Sequence, residues 1–320
     1  MNPTDLKQRI MGLSTDAGFD KCAISPASPV GRSDYYRDWL KLGRAGTMDY
    51  LHRHAELRTD AGKLLPGAKS VIVCALNYHQ SDPLTLNDTG KPRGKVAMYA
   101  WGGDYHKIIK RKLFGLVDQL RSEVAIPFES KVCVDTAPIL EREYAALSGI
   151  GWIGKNTLVL DPTLGSYFFL GLIVTTLDLP PDAPSPDHCG TCTRCLDACP
   201  TDAFPAAYEM DASRCISYLT IEHRDETVPD DLASLMGDWV FGCDVCQQVC
   251  PHNNDVPQTN EPKFAIRQPG PRPDLEAMKN MTDEEFREQL KGSAIKRAKP
   301  DMLRRNARIA LANHARDTER

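Results

Sequence analysis

Cys189-Gly-Thr-Cys192-Thr-Arg-Cys195-Leu-Asp-Ala-Cys199-Pro200 is the stretch that decides how this chain is read. Its spacing is C-x2-C-x2-C-x3-C-P. Two-residue gaps let three thiolates converge on one cubane, and the cysteine before the proline points away to another cluster. About fifty residues on, Cys243, Cys246, Cys250 and Pro251 form a second run, with Cys215 between the two. Eight cysteines suit two [4Fe-4S] clusters. We assign Cys189, Cys192, Cys195 and Cys250 to one, and Cys199, Cys215, Cys243 and Cys246 to the other. Zinc ribbons also use C-x2-C pairs, but they need neither the triple run nor a crossed fourth cysteine. The chain is expected to handle electrons.

Composition narrows the setting. At 320 residues the chain suits about two domains, and a hydrophobic fraction of 42% is ordinary for a soluble globule. The opening MNPTDLKQRIMGLSTDAGFD has no apolar signal-peptide core, and no stretch is long enough to span a membrane. Reduced thiolates in the cytoplasm are therefore expected rather than disulfides. Cys22, Cys74 and Cys133 fall in apolar, strand-like runs and read as core residues. A net charge of −4 gives no global argument for nucleic acid. The C-terminal end is nevertheless basic, with Lys291, Lys296, Arg297, Lys299, Arg304, Arg305, Arg308 and Arg316. Such a run is either a solvated face or a phosphate footprint.

Periodicity places the elements. Residues 4–17 read as an amphipathic helix with Leu6, Ile10 and Leu13 on one face. Strand-like runs lie at 22–24, 70–76, 131–134, 158–160 and 167–175, and helix-like segments at 34–42, 105–120 and 139–147. This alternation predicts an α/β or α+β domain over residues 1–178. The proline-rich LPPDAPSPDH at 179–188 reads as a linker into a cluster module, 179–260. A helical basic segment, 261–320, follows; Thr282 and Glu285 form a capping box, and one more helix is expected over 303–316.

Other motifs are weaker. Gly149, Gly151 and Gly154 form G-x-G-x-x-G, and with Lys155 nearly a Walker A loop. Both motifs need a strand before and a helix after. Here the order is reversed, so NAD and ATP are rejected and Gly149 reads as a helix C′ residue. Asp135 follows the apolar Val-Cys-Val and precedes Thr-Ala-Pro. It is either an N-cap carboxylate or, with Thr136 capping instead, a group free to face a cleft. His106, after Asp104 and Tyr105, reads locally as a surface or capping group.

Together these segments resemble the epoxyqueuosine reductases, cobalamin-dependent iron–sulfur enzymes of tRNA queuosine modification. The resemblance covers nearly the whole chain. It rests on Met98-Tyr-Ala-Trp-Gly-Gly-Asp-Tyr-His106, VDTAPILER at 134–142, GWIGKNTL at 151–158, LGSYFFLG at 164–171, RCISYLTIEHR at 214–224 and VFGCDVCQQVCPHN at 240–253. Met98 departs from the arginine often found in the family, and some members continue into a full helical-repeat domain.

The resemblance implies a nitroreductase-like α/β (α+β) cobalamin-binding domain carrying a bacterial two-[4Fe-4S] ferredoxin-like module and a short helical tail. It implies loss of the epoxide oxygen from epoxyqueuosine at the wobble position of a tRNA anticodon, with electrons reaching cobalamin through both clusters. Asp135 is implied as the proton donor, a carboxylic acid kept protonated by an apolar site. Arg58, Tyr99, Asp135, Asn156, Thr157, Ser166 and Ser217 are implied around the corrin. Arg297, Lys299, Arg304, Arg305 and Arg308 are expected to contact tRNA. A low-potential electron donor, a monomer and no membrane complete the expectation. The alternatives are a corrinoid reductive dehalogenase, or a non-catalytic ferredoxin with an appended domain.

Overall fold

The computed structural model describes residues 2–82 and 91–318. Its strands are β1 (Lys21–Pro26), β2 (Ser70–Asn77), β3 (Lys95–Val96), β4 (Ser130–Cys133), β5 (Trp152–Ile153), β6 (Val159–Leu160), β7 (Phe168–Thr175) and β8 (Trp239–Phe241). The main sheet has the order β1-β2-β7-β4, and every neighbouring pair is antiparallel. The first segment is thus α+β. Alternation of strands and helices along the chain does not set strand direction, and here the helices cover the sheet without linking parallel strands.

The sheet is buried on both faces because β2 is apolar at both of its alternating registers. Ile72, Cys74 and Leu76 join Phe169 and Ile173 on one face. Two helices cover it, Pro3–Asp16 through Leu6, Ile10 and Leu13, and Tyr105–Glu123 through Ile109, Leu113, Leu116 and Leu120. The second helix lies so close that a Cβ on Gly171 would stand 2.6 Å from Ile109. Val71, Val73, Ala75, Leu172 and Val174 make the other face, under Tyr144 and Ala145 of the helix Glu141–Leu147.

That helix ends at Gly149, which takes the C′ role with φ 75. A Cβ on Gly151 would meet the Leu160 carbonyl at 2.0 Å. These glycines therefore serve the β5–β6 hairpin, as expected once a nucleotide loop is rejected.

The proline-rich stretch is a packed strap rather than a free linker. Leu177 and Leu179 are buried in the first core. Asp182 donates its backbone N–H to the Ile24 carbonyl, and its carboxylate accepts the Ile24 N–H at 2.8 Å and the Lys7 ammonium at 2.6 Å. The strap thereby covers the outer edge of β1, a standard protection against edge pairing.

The C-terminal segment is likewise no loose tail. Val96, Ala100 and Trp101 share a core with Val240, Phe241, Leu275, Met278, Met302, Leu303, Ala307 and Ala310. β3 pairs in parallel with β8 beside it. The Thr282–Glu285 capping box starts the helix Asp283–Gln289, and the last helix runs Pro300–Thr318. Arg305 lies on that helix's inner face, 4% exposed. Its guanidinium donates to the carbonyls of Leu219, His223 and Asp225. Arg305 is thus spent on the end of the helix Ile216–Ile221 and does not reach tRNA. Among the described residues no helix is long and apolar enough to cross a membrane.

Candidate active site

Asp135 follows β4 in the left-handed region, at φ 56. That conformation costs a non-glycine residue about 1–3 kcal/mol and persists only where its surroundings impose it. Glu141 does so by accepting the Asp135 N–H at 2.6 Å. The next helix starts only at Glu141, and its N-cap, Leu140, makes no side-chain cap. Asp135 is therefore not a helix cap. Its side chain is 58% exposed and open to solvent.

His106 faces it. Asp104 caps the helix Tyr105–Glu123, and the first turn then aims the imidazole at Asp135. His106 Nε2 stands 2.9 Å from Asp135 Oδ2, and Nδ1 2.8 Å from Asp104 Oδ1. Tyr105 stacks between His106 and Phe169, with centroids 4.0 and 4.2 Å away. Burial opposes charge on the ring, but the bonds to both carboxylates outweigh it and push His106 up to about 9. The protein surrounding Asp135 opposes charge on it despite its open face, yet the His106 hydrogen bond holds the carboxyl below its ordinary value. The expectation of an apolar site that keeps Asp135 protonated by itself is corrected accordingly. Burial and the neighbouring Asp135 charge push Glu141 up to about 8.

The residues expected around a corrin divide in two. Arg58 and Asn156 are buried, and among the described residues Arg58 Nε and Asn156 Nδ2 are the buried side-chain nitrogens with no hydrogen-bond partner. Such groups are costly unless something satisfies them. Thr157 has φ 64 at the tip of the β5–β6 hairpin, and its carbonyl accepts from Arg142 at 2.7 Å. Tyr99 packs against Tyr105, Phe169 and Phe241. Ser217 is half-buried, two residues after Cys215. Ser166 is already used. It is buried, its N–H donates to Asn253 Oδ1 at 2.7 Å, and its hydroxyl accepts from Gln247 at 3.0 Å. That network ties the sheet to the cysteine region.

Arg297 has a different setting from the rest of the basic end. It makes a two-point pair with Glu222 at 2.7 and 3.0 Å. Its guanidinium lies 5.7 Å from the Tyr50 ring, and Arg58 lies 5.9 Å from the same ring. Its positive charge helps to lower Asp135. No local signal in the sequence joins Tyr50 or Glu222 to this place. Arg304 is paired with Asp283 and Asp301, whereas Lys299 and Arg308 are exposed.

The eight cysteines of the expected clusters influence one another's thiols. The Cys195 thiol is raised by burial and by Cys250, Cys189 and Cys192, and the Cys243 thiol by burial and by Cys215 and Cys199. Cys246 in turn feels Cys215 and Cys243. Among the described residues no three metal-ligating side chains converge on a point suited to one ion. In a cubane each thiolate takes a different iron, so wider spacing is the expected geometry. The second set connects to the His106 side by contacts: Asp244, between Cys243 and Cys246, accepts the Met98 N–H at 2.7 Å, and neighbouring Tyr99 packs against Tyr105. In the first set, Trp152 Nε1 donates to Cys189 Sγ at 3.5 Å.

Comparison with known proteins places the chain among its relatives. Residues 58–136 match the family described as epoxyqueuosine reductase QueG, DUF1730, and residues 188–253 match the 4Fe-4S double cluster binding domain. An epoxyqueuosine reductase of Xanthomonas campestris pv. campestris is 41% identical, over 98% of this chain and 88% of the relative. One from Cyclobacterium marinum is 42% identical over 93% and 94%. A crystal structure of epoxyqueuosine reductase with an epoxyqueuosine-modified tRNA-Tyr stem loop superposes with TM-score 0.89 at 32% identity, over 98% of this chain and 82% of that one. A Bacillus subtilis epoxyqueuosine reductase, with its catalytic aspartate loop swung out of the active site, gives 0.89 at 30% identity over the same shares. A catabolic reductive dehalogenase shares the fold alone, at TM-score 0.51 and 12% identity over 98% of this chain and 36% of that one.

Proposed function

Because the chain belongs to the epoxyqueuosine reductase family, we propose that it reduces epoxyqueuosine to queuosine in the anticodon of a tRNA. The observation that carries this reading is one juxtaposition. A solvent-facing carboxylate–imidazole pair lies a short chain of contacts from cluster cysteines, through Tyr105, Tyr99, Met98 and Asp244 beside Cys243. Cys189, Cys192, Cys195 and Cys250 would hold one [4Fe-4S] cluster and Cys199, Cys215, Cys243 and Cys246 the other, and the pair would supply a low-potential electron relay.

Cobalamin fits the residues present. The unpartnered nitrogens of Arg58 and Asn156 would bind its polar periphery, with Thr157, Tyr99 and Ser217 alongside. When bound it supplies a low-potential cobalt nucleophile suited to a strained epoxide. The chain's own part is to exclude water, orient the nucleoside and give the epoxide oxygen a proton from Asp135 as the carbon–oxygen bond breaks. We infer a monomer. A tRNA substrate and a low-potential electron donor suit a cytoplasmic setting.

The test is turnover. Protein reconstituted anaerobically with iron, sulfide and cobalamin, then given a chemical reductant, converts an epoxyqueuosine stem loop to queuosine by mass spectrometry. A preparation that holds both clusters and the corrinoid but makes no queuosine would overturn the reading.

Of the residues expected to contact tRNA, Lys299 and Arg308 are exposed and stand in no ion pair with Asp283, Asp301 or Glu222. Reversing both charges should weaken tRNA binding and flatten its dependence on salt, by up to about one unit of slope for each phosphate that is no longer neutralised. Filter binding across a salt series reads both quantities. An unchanged slope would make both of them solvated surface only. Arg305 is no part of the test, because its replacement would strip the charged donor from three carbonyls.

A further inference from the structure

His106 bridges two carboxylates, with Asp135 at 2.9 Å on Nε2 and Asp104 at 2.8 Å on Nδ1. A neutral imidazole has one N–H and one bare nitrogen. A bare nitrogen against an ionised carboxylate sets two lone pairs in opposition. The row therefore holds one proton more than a neutral imidazole between two carboxylates. It is either an imidazolium between carboxylates, or an imidazole beside one carboxylic acid. In both forms that proton is one hydrogen bond or less from Asp135.

We propose that Asp104, His106 and Asp135 form a proton store for the reduction, and that His106 supplies through Asp135 the proton taken by the opening epoxide oxygen. This rests on the reading of Asp135 given above. The overall reaction breaks both carbon–oxygen bonds of the epoxide and forms the carbon–carbon double bond. It consumes two electrons from the external reductant and two protons, and the oxygen leaves as water. One carboxylic acid delivers one proton. The first passes from the row to the oxygen as the first bond breaks. The row is then refilled from solvent at the open face of Asp135, and the second proton completes the water. Asp104 is a positioning residue: it takes the other ring N–H and aims the imidazole.

The charged and titratable groups around His106 are consistent with a filled store at neutral pH. Tyr105, Lys107 and Lys110 come from its own helix, Lys110 reaching Thr136 Oγ1 at 3.2 Å. Glu141 and Arg142 stand behind Asp135, with Tyr99 beside it. Tyr50 and Arg297 feel the Asp135 charge, and Glu222 pairs with Arg297. Burial disfavours the imidazolium, the two carboxylates favour it more, and the ring titrates at about 9. Glu141 bonds the backbone of Asp135 and stands outside the row.

The test is a pH profile of single-turnover conversion in holoenzyme with a chemical reductant. The native rate should be level through neutrality and fall as the row empties near 9. His106→Gln keeps a hydrogen-bond donor but stores no proton. It should be slower at neutral pH by about 10²–10⁴-fold. It should recover as pH falls into the carboxylic-acid range, where Asp135 carries a proton of its own. A second readout needs no turnover: 15N-imidazole NMR of oxidised protein should show one histidine, absent from His106→Gln, titrating near 9 and shifted down in Asp104→Asn. A His106→Gln profile that matches the native one, or lies below it by one factor at every pH, would overturn the store. So would a His106 midpoint in the ordinary range near 6.5. Asp135→Asn run alongside separates the two readings. If it is slow while His106→Gln keeps the native profile, only the store falls; if it is fast, the Asp135 reading falls with it.

Discussion

Asp135→Asn should convert epoxyqueuosine about 10²–10⁴-fold more slowly than the native enzyme, the usual worth of a positioned general acid. The substitution is close to isosteric, and asparagine tolerates the left-handed backbone that Asp135 adopts at φ 56. The hydrogen bond that holds this backbone runs from the Asp135 N–H to Glu141 and survives the change. Folding and cluster content should therefore stay native. An amide has no acidic proton to give, and it withdraws one of the two charges that sustain the imidazolium of His106. Single turnover with a chemical reductant removes electron delivery from the measurement. Native-rate conversion by this variant would dismiss Asp135 as the acid.

Cys215→Ala should remove the cluster assigned to Cys199, Cys215, Cys243 and Cys246 and spare the other. Cys215 precedes the helix Ile216–Ile221, and its thiol is raised by burial and lies within reach of Cys199. With its fourth ligand gone, the set of Cys199, Cys243 and Cys246 cannot hold an intact cubane. Iron and sulfide per chain should fall to about half. Turnover should drop below detection, because this set is the one that connects to the His106 side through Asp244, Met98 and Tyr99. Iron analysis, electron paramagnetic resonance of the reduced protein and queuosine formation read these three results. A variant with full iron and native turnover would remove Cys215 from the ligand set.

These two variants also mark how much could be read without coordinates. The double-cluster pattern was legible from Cys189 to Pro251 because cysteine spacing is a local property of the chain. The buried strands β2 and β7, the Thr282 capping box and the C′ glycine at Gly149 were legible for the same reason. Each depends on neighbours a few residues away. Asp135 was reached through the resemblance, while its own surroundings left a helix cap open; the geometry closes that alternative, since the helix begins only at Glu141.

What the tertiary structure alone decided concerns partners distant along the chain. His106 and Asp135 are 29 residues apart, and only the crossing of a helix start over the end of β4 makes them a pair. Arg297 comes to act on Asp135 because the C-terminal segment packs against Glu222, 75 residues before it. Arg305 and Arg308 look alike in a basic run, yet one turn of helix puts the first against three carbonyls and leaves the second in water. The antiparallel sense of the sheet and the strap over β1 are of the same kind. Spacing and periodicity are carried by the covalent chain, whereas the partner of a charge, and hence its proton, exists only once separate elements have packed.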